Sequence, residues 1–330
     1  MEFGPVPPAR AVGAILAHSL TLPDGRLRKG LRLTEAHAAA LSAAGIEAVT
    51  VARPGPDDVE EDDAAARLAA ALVEEGAGIA VGRAATGRVN LHATGPGLLE
   101  FDPQAVHALN AIDPAITLAC LPPWARVAER TLLGTVKIIA YAVPGEALER
   151  ACAAGDRALR VRPATRRTAT LVLSEIPGAP QDPEGKGPRA VAGRVEALGG
   201  RVVETLVASH DATALQAAVS AARGEVVLIL TASATSDVRD VAPAAVVAAG
   251  GAVERFGMPV DPGNLLFLAR LGDRPVIGLP GCARSPALNG ADWVMERVIC
   301  GVPVTSRDIA AMGVGGLLKE IPQRGRPREG

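Results

Sequence analysis

From Thr168 onward, short runs of branched apolar residues alternate with alanine-rich segments of helical length, and this rhythm constrains the fold more than any other feature. "ATLVLS" is followed by "RAVAGRVEALGG", "RVVETLVA" by "DATALQAAVSAARG", and "EVVLILT" by "APAAVVAAGG". Continuous apolar runs of strand length are what a strand buried on both faces requires, and a helix between two such runs joins parallel neighbours. The expected fold class is α/β, a doubly wound, mainly parallel sheet, preceded by a smaller mixed α+β domain. Aromatic residues make up only 2% of the chain while hydrophobic residues reach 48%, so Ala, Val and Leu must build the interior.

Length and charge exclude several classes. A chain of 330 residues is long for one domain, and two are expected. Thirty-four basic and 36 acidic residues give a net charge of −2, and no basic stripe is interleaved with aromatics, so nucleic acid is not an expected partner. The N-terminal apolar run "AVGAILA" is too short for a signal peptide or a membrane span, which points to a cytoplasmic protein that does not enter membranes. Cys120, Cys152, Cys282 and Cys300 lie far apart, and His18, His37, His92, His107 and His210 are equally scattered, so no protein-bound metal site is expected.

The first half opens less regularly. "GAILAHSLTLPDGRLRKGLRLT" reads as a hairpin about a Pro-Asp-Gly turn, Thr34 opens a helix that Gly45 stops, and "IEAVTVA" follows as a strand. The acidic run in "DDVEEDDAAARLAAALVEEG" complements the positive end of an Ala/Leu helix rather than forming a site. "GAGIAVGRAATG" has glycines but not the spacing of a dinucleotide loop. "VKIIAYAVP" reads as one strand, and "RVRPATRRT" as a basic, proline-interrupted link into the second domain.

In a parallel sheet, ligands sit beyond the carboxyl ends of the strands. Three polar loops leave such ends: Ser174 onward, Thr231 to Asp240, and Pro280 to Pro286. They offer hydroxyls (Ser174, Thr231, Ser233, Thr235, Ser236, Ser285) and carboxylates (Glu175, Asp237, Asp240), with Arg284 the available cation of the Pro280 loop, each loop leading toward a helix N-terminus. Such a set suits a phosphate-bearing ligand rich in hydrogen-bonding groups. The same residue types serve as helix caps and turns, Asp240 before "VAP" included. A catalytic triad is not expected, because no Gly-x-Ser-x-Gly elbow occurs and none of the three loops carries a histidine.

These loops resemble a known family. From Thr168 to about Thr305 the chain is similar to the molybdopterin-binding domain of molybdopterin molybdotransferases and related cofactor-biosynthesis proteins. "TASATSDVRD" occupies the place of their Ser-Gly-Gly-Val-Ser-x-Gly-x-x-Asp loop, with Asp240 at the functional aspartate. "GLPGCARS" resembles Gly-Leu-Pro-Gly-Asn-Pro-x-Ser, matching at Gly278, Leu279, Pro280, Gly281 and Ser285 but not at Cys282 or Ala283. "DPGNL" stands where they have Lys-Pro-Gly-Lys-Pro, so Gly263 is kept while Asp261 and Asn264 replace lysines. "GLRLTEAHAAALSAAGIEAVTVARP" and "GTVKIIAYAVP" resemble the preceding region, and "FGMPVDPGNLLFL" and "MGVGGLLKEI" resemble a bacterial branch often fused to a cytidylyltransferase-like domain. Here the sequence given ends in "PQRGRPREG", and nucleotidyl transfer by this chain is not expected.

The resemblance implies a mixed N-terminal region over residues 1–165, a molybdopterin-binding α/β domain over 166–305, and an extension with a polar tail over 306–330. It implies molybdopterin or a molybdenum cofactor intermediate as ligand, with Mg2+ as a candidate companion, and a place in biosynthesis, maturation or handover of that cofactor. The partners it implies are further copies of this chain and a separate cytidylyltransferase or molybdoenzyme maturation factor. Binding residues carried over are Ser174, Glu175, Thr231, Ser233, Thr235, Ser236, Asp237, Asp240, Asp261, Gly263, Asn264, Pro280, Gly281, Cys282, Arg284 and Ser285, with Asp240 catalytic if the chain is an enzyme. Exchanging a lysine for Asp261 turns attraction for an anion into repulsion, about 1 kcal/mol for each term at 4 Å in water. That exchange favours binding over molybdenum insertion; a divergent molybdotransferase and a ligand-free scaffold are the alternatives. Cys282 stands open between a buried thiol and a contact to the dithiolene or molybdenum.

Overall fold

The computed structural model describes residues 1–318. The tail "PQRGRPREG" therefore lies outside the described residues. The chain divides into two compact units, one of residues 1–95 and 99–162, the other of Pro96–Leu98 and the chain from Pro163 onward.

The first unit is built of small sheets. Glu2–Val6 and Ile15–Leu16 flank Val49–Arg53 in an antiparallel sheet, covered by the helix Glu35–Ala43. Thr34 caps that helix in a reciprocal capping box with His37, and the hairpin closes Leu20–Leu22 on Gly25–Leu27. A second, four-stranded sheet pairs Leu132–Ile138 with Ile116–Cys120 and Arg88–Ala93, and its core holds Leu68, Leu91, Leu109, Val136 and Leu148. Two expectations are corrected here. The run "VKIIAYAVP" is two strands: the first ends at Ile138, Ile139 is exposed, and Ala142–Pro144 pairs with Asp58–Glu60 in another sheet. Within "RVRPATRRT", Arg160–Arg162 is a strand, and both of its arginines bind Glu100, so these residues belong to the first unit rather than to a free link.

The second unit is an α/β fold around a six-stranded mixed sheet. Its strands are β1 (Thr168–Glu175), β2 (Arg201–Ser209), β3 (Val226–Leu230), β4 (Ala252–Phe256), β5 (Phe267–Leu271) and β6 (Arg274–Leu279). Its helices are α1 (Lys186–Glu196), α2 (Ala212–Ala221), α3 (Val241–Ala248), α4 (Gly290–Ile299) and α5 (Ser306–Ala311). The order across the sheet is β2-β1-β3-β6-β5-β4. The first four of these run parallel, and β5 and β4 are antiparallel additions. Glu175, Ser209, Leu230 and Leu279 therefore end at one edge.

Burial follows strand alternation. Val172, Val227 and Ile229 pack with Leu215 and Val219 of α2 and with Ala245 and Val246 of α3. Leu171, Leu173, Leu228 and Leu230 point to the other face and are equally inaccessible. A fully buried leucine or valine contributes about 1.5–3 kcal/mol, so this two-sided burial is what holds the four strand ends in register. The glycine of "GLPG" has a packing cause: Gly278 pairs with Phe267, and a Cβ there would lie 1.9 Å from the Phe267 ring. Among the described residues, no helix is long and apolar enough to cross a membrane.

Candidate functional site

A closed circuit of hydrogen bonds ties the strand ends together. Ser174, fully buried at the end of β1, accepts through Oγ from the Ala232 amide at 2.9 Å and meets His210 Nδ1 at 2.8 Å. The His210 amide donates to the Glu175 carbonyl at 2.8 Å. Glu175 Oε2 accepts from the Gln181 amide at 3.1 Å, and Gln181 Oε1 accepts from Arg284 at 3.0 Å. Arg284 then donates to the Thr231 carbonyl at 2.8 Å, one residue before Ala232. The loops after β1, β3 and β6 thus converge, and a fourth strand end, that of β2, joins them through His210.

Arg284 is the electrostatic feature of this ring. It is half-buried, and burial pulls its guanidinium below the ordinary arginine value. Its hydrogen-bond partners are neutral oxygens, with no carboxylate among the described residues. It packs on the first turn of α1, where a Cβ on Gly187 would lie 3.3 Å from Arg284 Cγ. A guanidinium beside the positive end of a helix, bonded to no carboxylate among the described residues, is a place where an anion is favoured.

The loop that carries Arg284 is held by a different arginine. Arg194 of α1, 7% exposed, binds the carboxylate of Asp292, itself 2% exposed. It also donates to the carbonyls of Ala283 at 3.0 Å, Ser285 at 2.6 Å and Ala287 at 3.1 Å. Asp292 closes a capping box with Asn289 at the start of α4. Three backbone carbonyls of a non-repetitive loop are thus satisfied by one buried fork, which fixes where Arg284 begins.

The other candidates divide. Asp240 caps α3, with one oxygen 2.7 Å from the Val241 amide and the other 2.9 Å from that of Ser236. Asp237 is exposed, and Arg239 beside it holds its carboxyl down to about 2. Thr231 Oγ1 donates to the Ser233 carbonyl, Thr235 is buried, and Ser233 and Ser236 are exposed. Pro280 is buried, Gly281 exposed and Cys282 half-buried, its carbonyl accepting from the Ser285 amide; Ser285 Oγ accepts from Ala287. Asp261, Gly263 and Asn264 form a turn against the start of α4. Gly290 donates to the Pro262 carbonyl at 2.8 Å, and Gly263, at φ +139°, leaves no room for a Cβ, which would meet the Gly290 amide at 2.6 Å.

Sequence reading missed Gln181, Arg194, His210 and Asp292. His210 carried a usable signal, because it directly follows the strand "RVVETLVAS" at the carboxyl end of a parallel strand. Arg194 sits on the apolar stripe of α1 with Val191 and Val195, where a buried arginine needs a partner. Gln181 had no signal in its Pro/Gly loop. Among the described residues, no group of three His, Cys, Asp or Glu is placed to hold a metal ion.

Comparison with known proteins adds little to this geometry. A profile for a domain of unknown function, DUF8806, matches residues 5–53, in the first unit. A search of curated proteins finds no match. Among solved structures, the molybdopterin biosynthesis MoeA protein from Pyrococcus horikosii is similar at 16% identity and a TM-score of 0.30, over 93% of this chain and 75% of that one. A molybdenum cofactor biosynthesis protein from Pyrococcus furiosus is similar at 11% identity and a TM-score of 0.27, over 92% of this chain and 66% of that one. Likeness at this level assigns neither an activity nor a ligand.

Proposed function

We propose that the chain binds a phosphate-bearing molybdopterin, or a molybdenum cofactor intermediate derived from it, across the strand-end circuit, and that it acts in maturation or handover of that cofactor. The observation that carries the reading is Arg284: a half-buried cation with only neutral partners among the described residues, at a helix N-terminus, in the middle of converging polar loops. The "GLPGCARS" turn that presents it supports the choice of ligand. Asp240 gives both carboxylate oxygens to backbone amides of its own loop, which favours binding over molybdenum transfer. Protein purified from a molybdopterin-producing host is expected to carry a pterin that becomes fluorescent on oxidation. Absence of that pterin, together with no calorimetric binding, would sink the reading. Molybdenum transfer by the wild type that disappears in Asp240→Asn would replace it with a molybdotransferase.

A further inference from the structure

We infer that His210 reads the uncharged end of the ligand: it presents an Nε2–H donor, flanked by the carboxylates of Glu175 and Asp211, to a 2-amino-4-oxopyrimidine edge. The inference rests on the proposed function for the identity of the ligand, but its first step concerns only protons. Ser174 is fully buried, and its hydroxyl has one hydrogen to place. Oγ already accepts from the Ala232 amide, so that hydrogen has His210 Nδ1, at 2.8 Å, as its acceptor. Any other arrangement strands a buried hydroxyl hydrogen, at a cost nearly all native structures avoid. Nδ1 must therefore be unprotonated, which places the ring proton on Nε2.

Nε2 lies on the far side of the ring from Ser174. His210 lines a cleft of about 530 Å³ together with Glu175, Asp211, Ser209 and the Ile176–Gly178 turn. Each of the two carboxylates gives one oxygen to the backbone, Glu175 to the Gln181 amide and Asp211 to the Ala214 amide. The cleft thus offers two carboxylate acceptors and one neutral donor. Two carboxylates repel a phosphate, whereas the ring circuit places Arg284, bonded to no carboxylate among the described residues, at another point of the same edge. Charge is segregated along the edge: the anionic end of a ligand belongs at Arg284, and a ring bearing N–H and NH2 donors beside a carbonyl acceptor belongs at His210. A 2-amino-4-oxopyrimidine has that set, its amino and ring N–H facing a carboxylate and its carbonyl facing Nε2–H.

Long-range proton–nitrogen correlation on the full chain is expected to show His210 protonated at Nε2; protonation at Nδ1 would overturn the inference without touching the proposed function. Two unphosphorylated probes then test recognition. Pterin (2-amino-4-oxopteridine) is expected to shift the His210 ring signals and to bind about tenfold or more tightly than lumazine (2,4-dioxopteridine), the effect of one hydrogen bond to a charged partner. His210→Asn, which keeps an acceptor for Ser174 but withdraws the distal donor, and Glu175→Gln should each weaken pterin by about tenfold. Pterin that fails to bind the wild type, or binds both variants as tightly, overturns the inference. Pyrophosphate binding that is indifferent to Arg284→Met counts instead against the proposed function.

Discussion

Arg194 and Arg284 flank the same loop and do opposite work. Arg194 is sealed from solvent and satisfied by a carboxylate and by carbonyls on both sides of the loop. Arg284 is half-buried and, among the described residues, holds only the Thr231 carbonyl and the Gln181 amide oxygen. A cation whose charge is answered within the protein is structural, while a desolvated cation whose charge is not answered is prepared for something outside it. The first arginine ties the turn to α1 and α4, and the second is the group we propose for the ligand's anion.

The largest expected effect lies on the structural side. Asp292→Ala leaves Arg194 buried without its carboxylate and removes the α4 capping box, and should cost about 3–5 kcal/mol in urea denaturation. If it costs less than Arg284→Met, the division between the two arginines fails. On the receptive side, Arg284→Met should weaken pyrophosphate by at least about tenfold while changing stability by less than about 1 kcal/mol, since only bonds to neutral acceptors are lost.

Two smaller tests sharpen the circuit. Ser174→Ala removes the acceptor for the Ala232 amide and the partner of His210, with an expected loss of about 1–2 kcal/mol in thermal unfolding. Asp240→Ala removes a helix cap, with an expected loss of about 0.5–2 kcal/mol. The smallest effect belongs to Asp237. Its folded value, held near 2 by Arg239, lies below the ordinary carboxylate value, so any contribution is complete at neutral pH and disappears only as pH falls through about 2. Because the pair is fully exposed, Asp237→Asn should leave the melting temperature at neutral pH unchanged.

The sequence exposed the parts of this molecule that depend on local chemistry. The Pro-Asp-Gly hairpin, the Thr34 cap and each strand of the second unit follow from residue types and spacing. "VKIIAYAVP" was illegible as two strands because no glycine or proline marks the change of sheet at Ile139, and the break comes from pairing with distant segments. Polar residues at three strand ends were visible, but their convergence depends on Gln181, His210 and Arg194, whose partners lie far away in the chain, 36 positions for Ser174–His210, 98 for Arg194–Asp292 and 103 for Arg284–Gln181, distances over which periodicity is silent.

The most direct test of the central claim is a pairwise cycle on the ligand and Arg284. Oxidised molybdopterin derivatives with and without the phosphate are titrated into wild type and Arg284→Met. The account predicts that removing the phosphate weakens the wild type by at least about tenfold and leaves the variant unaffected. An equal loss in both proteins would contradict it, because the phosphate would then be held elsewhere.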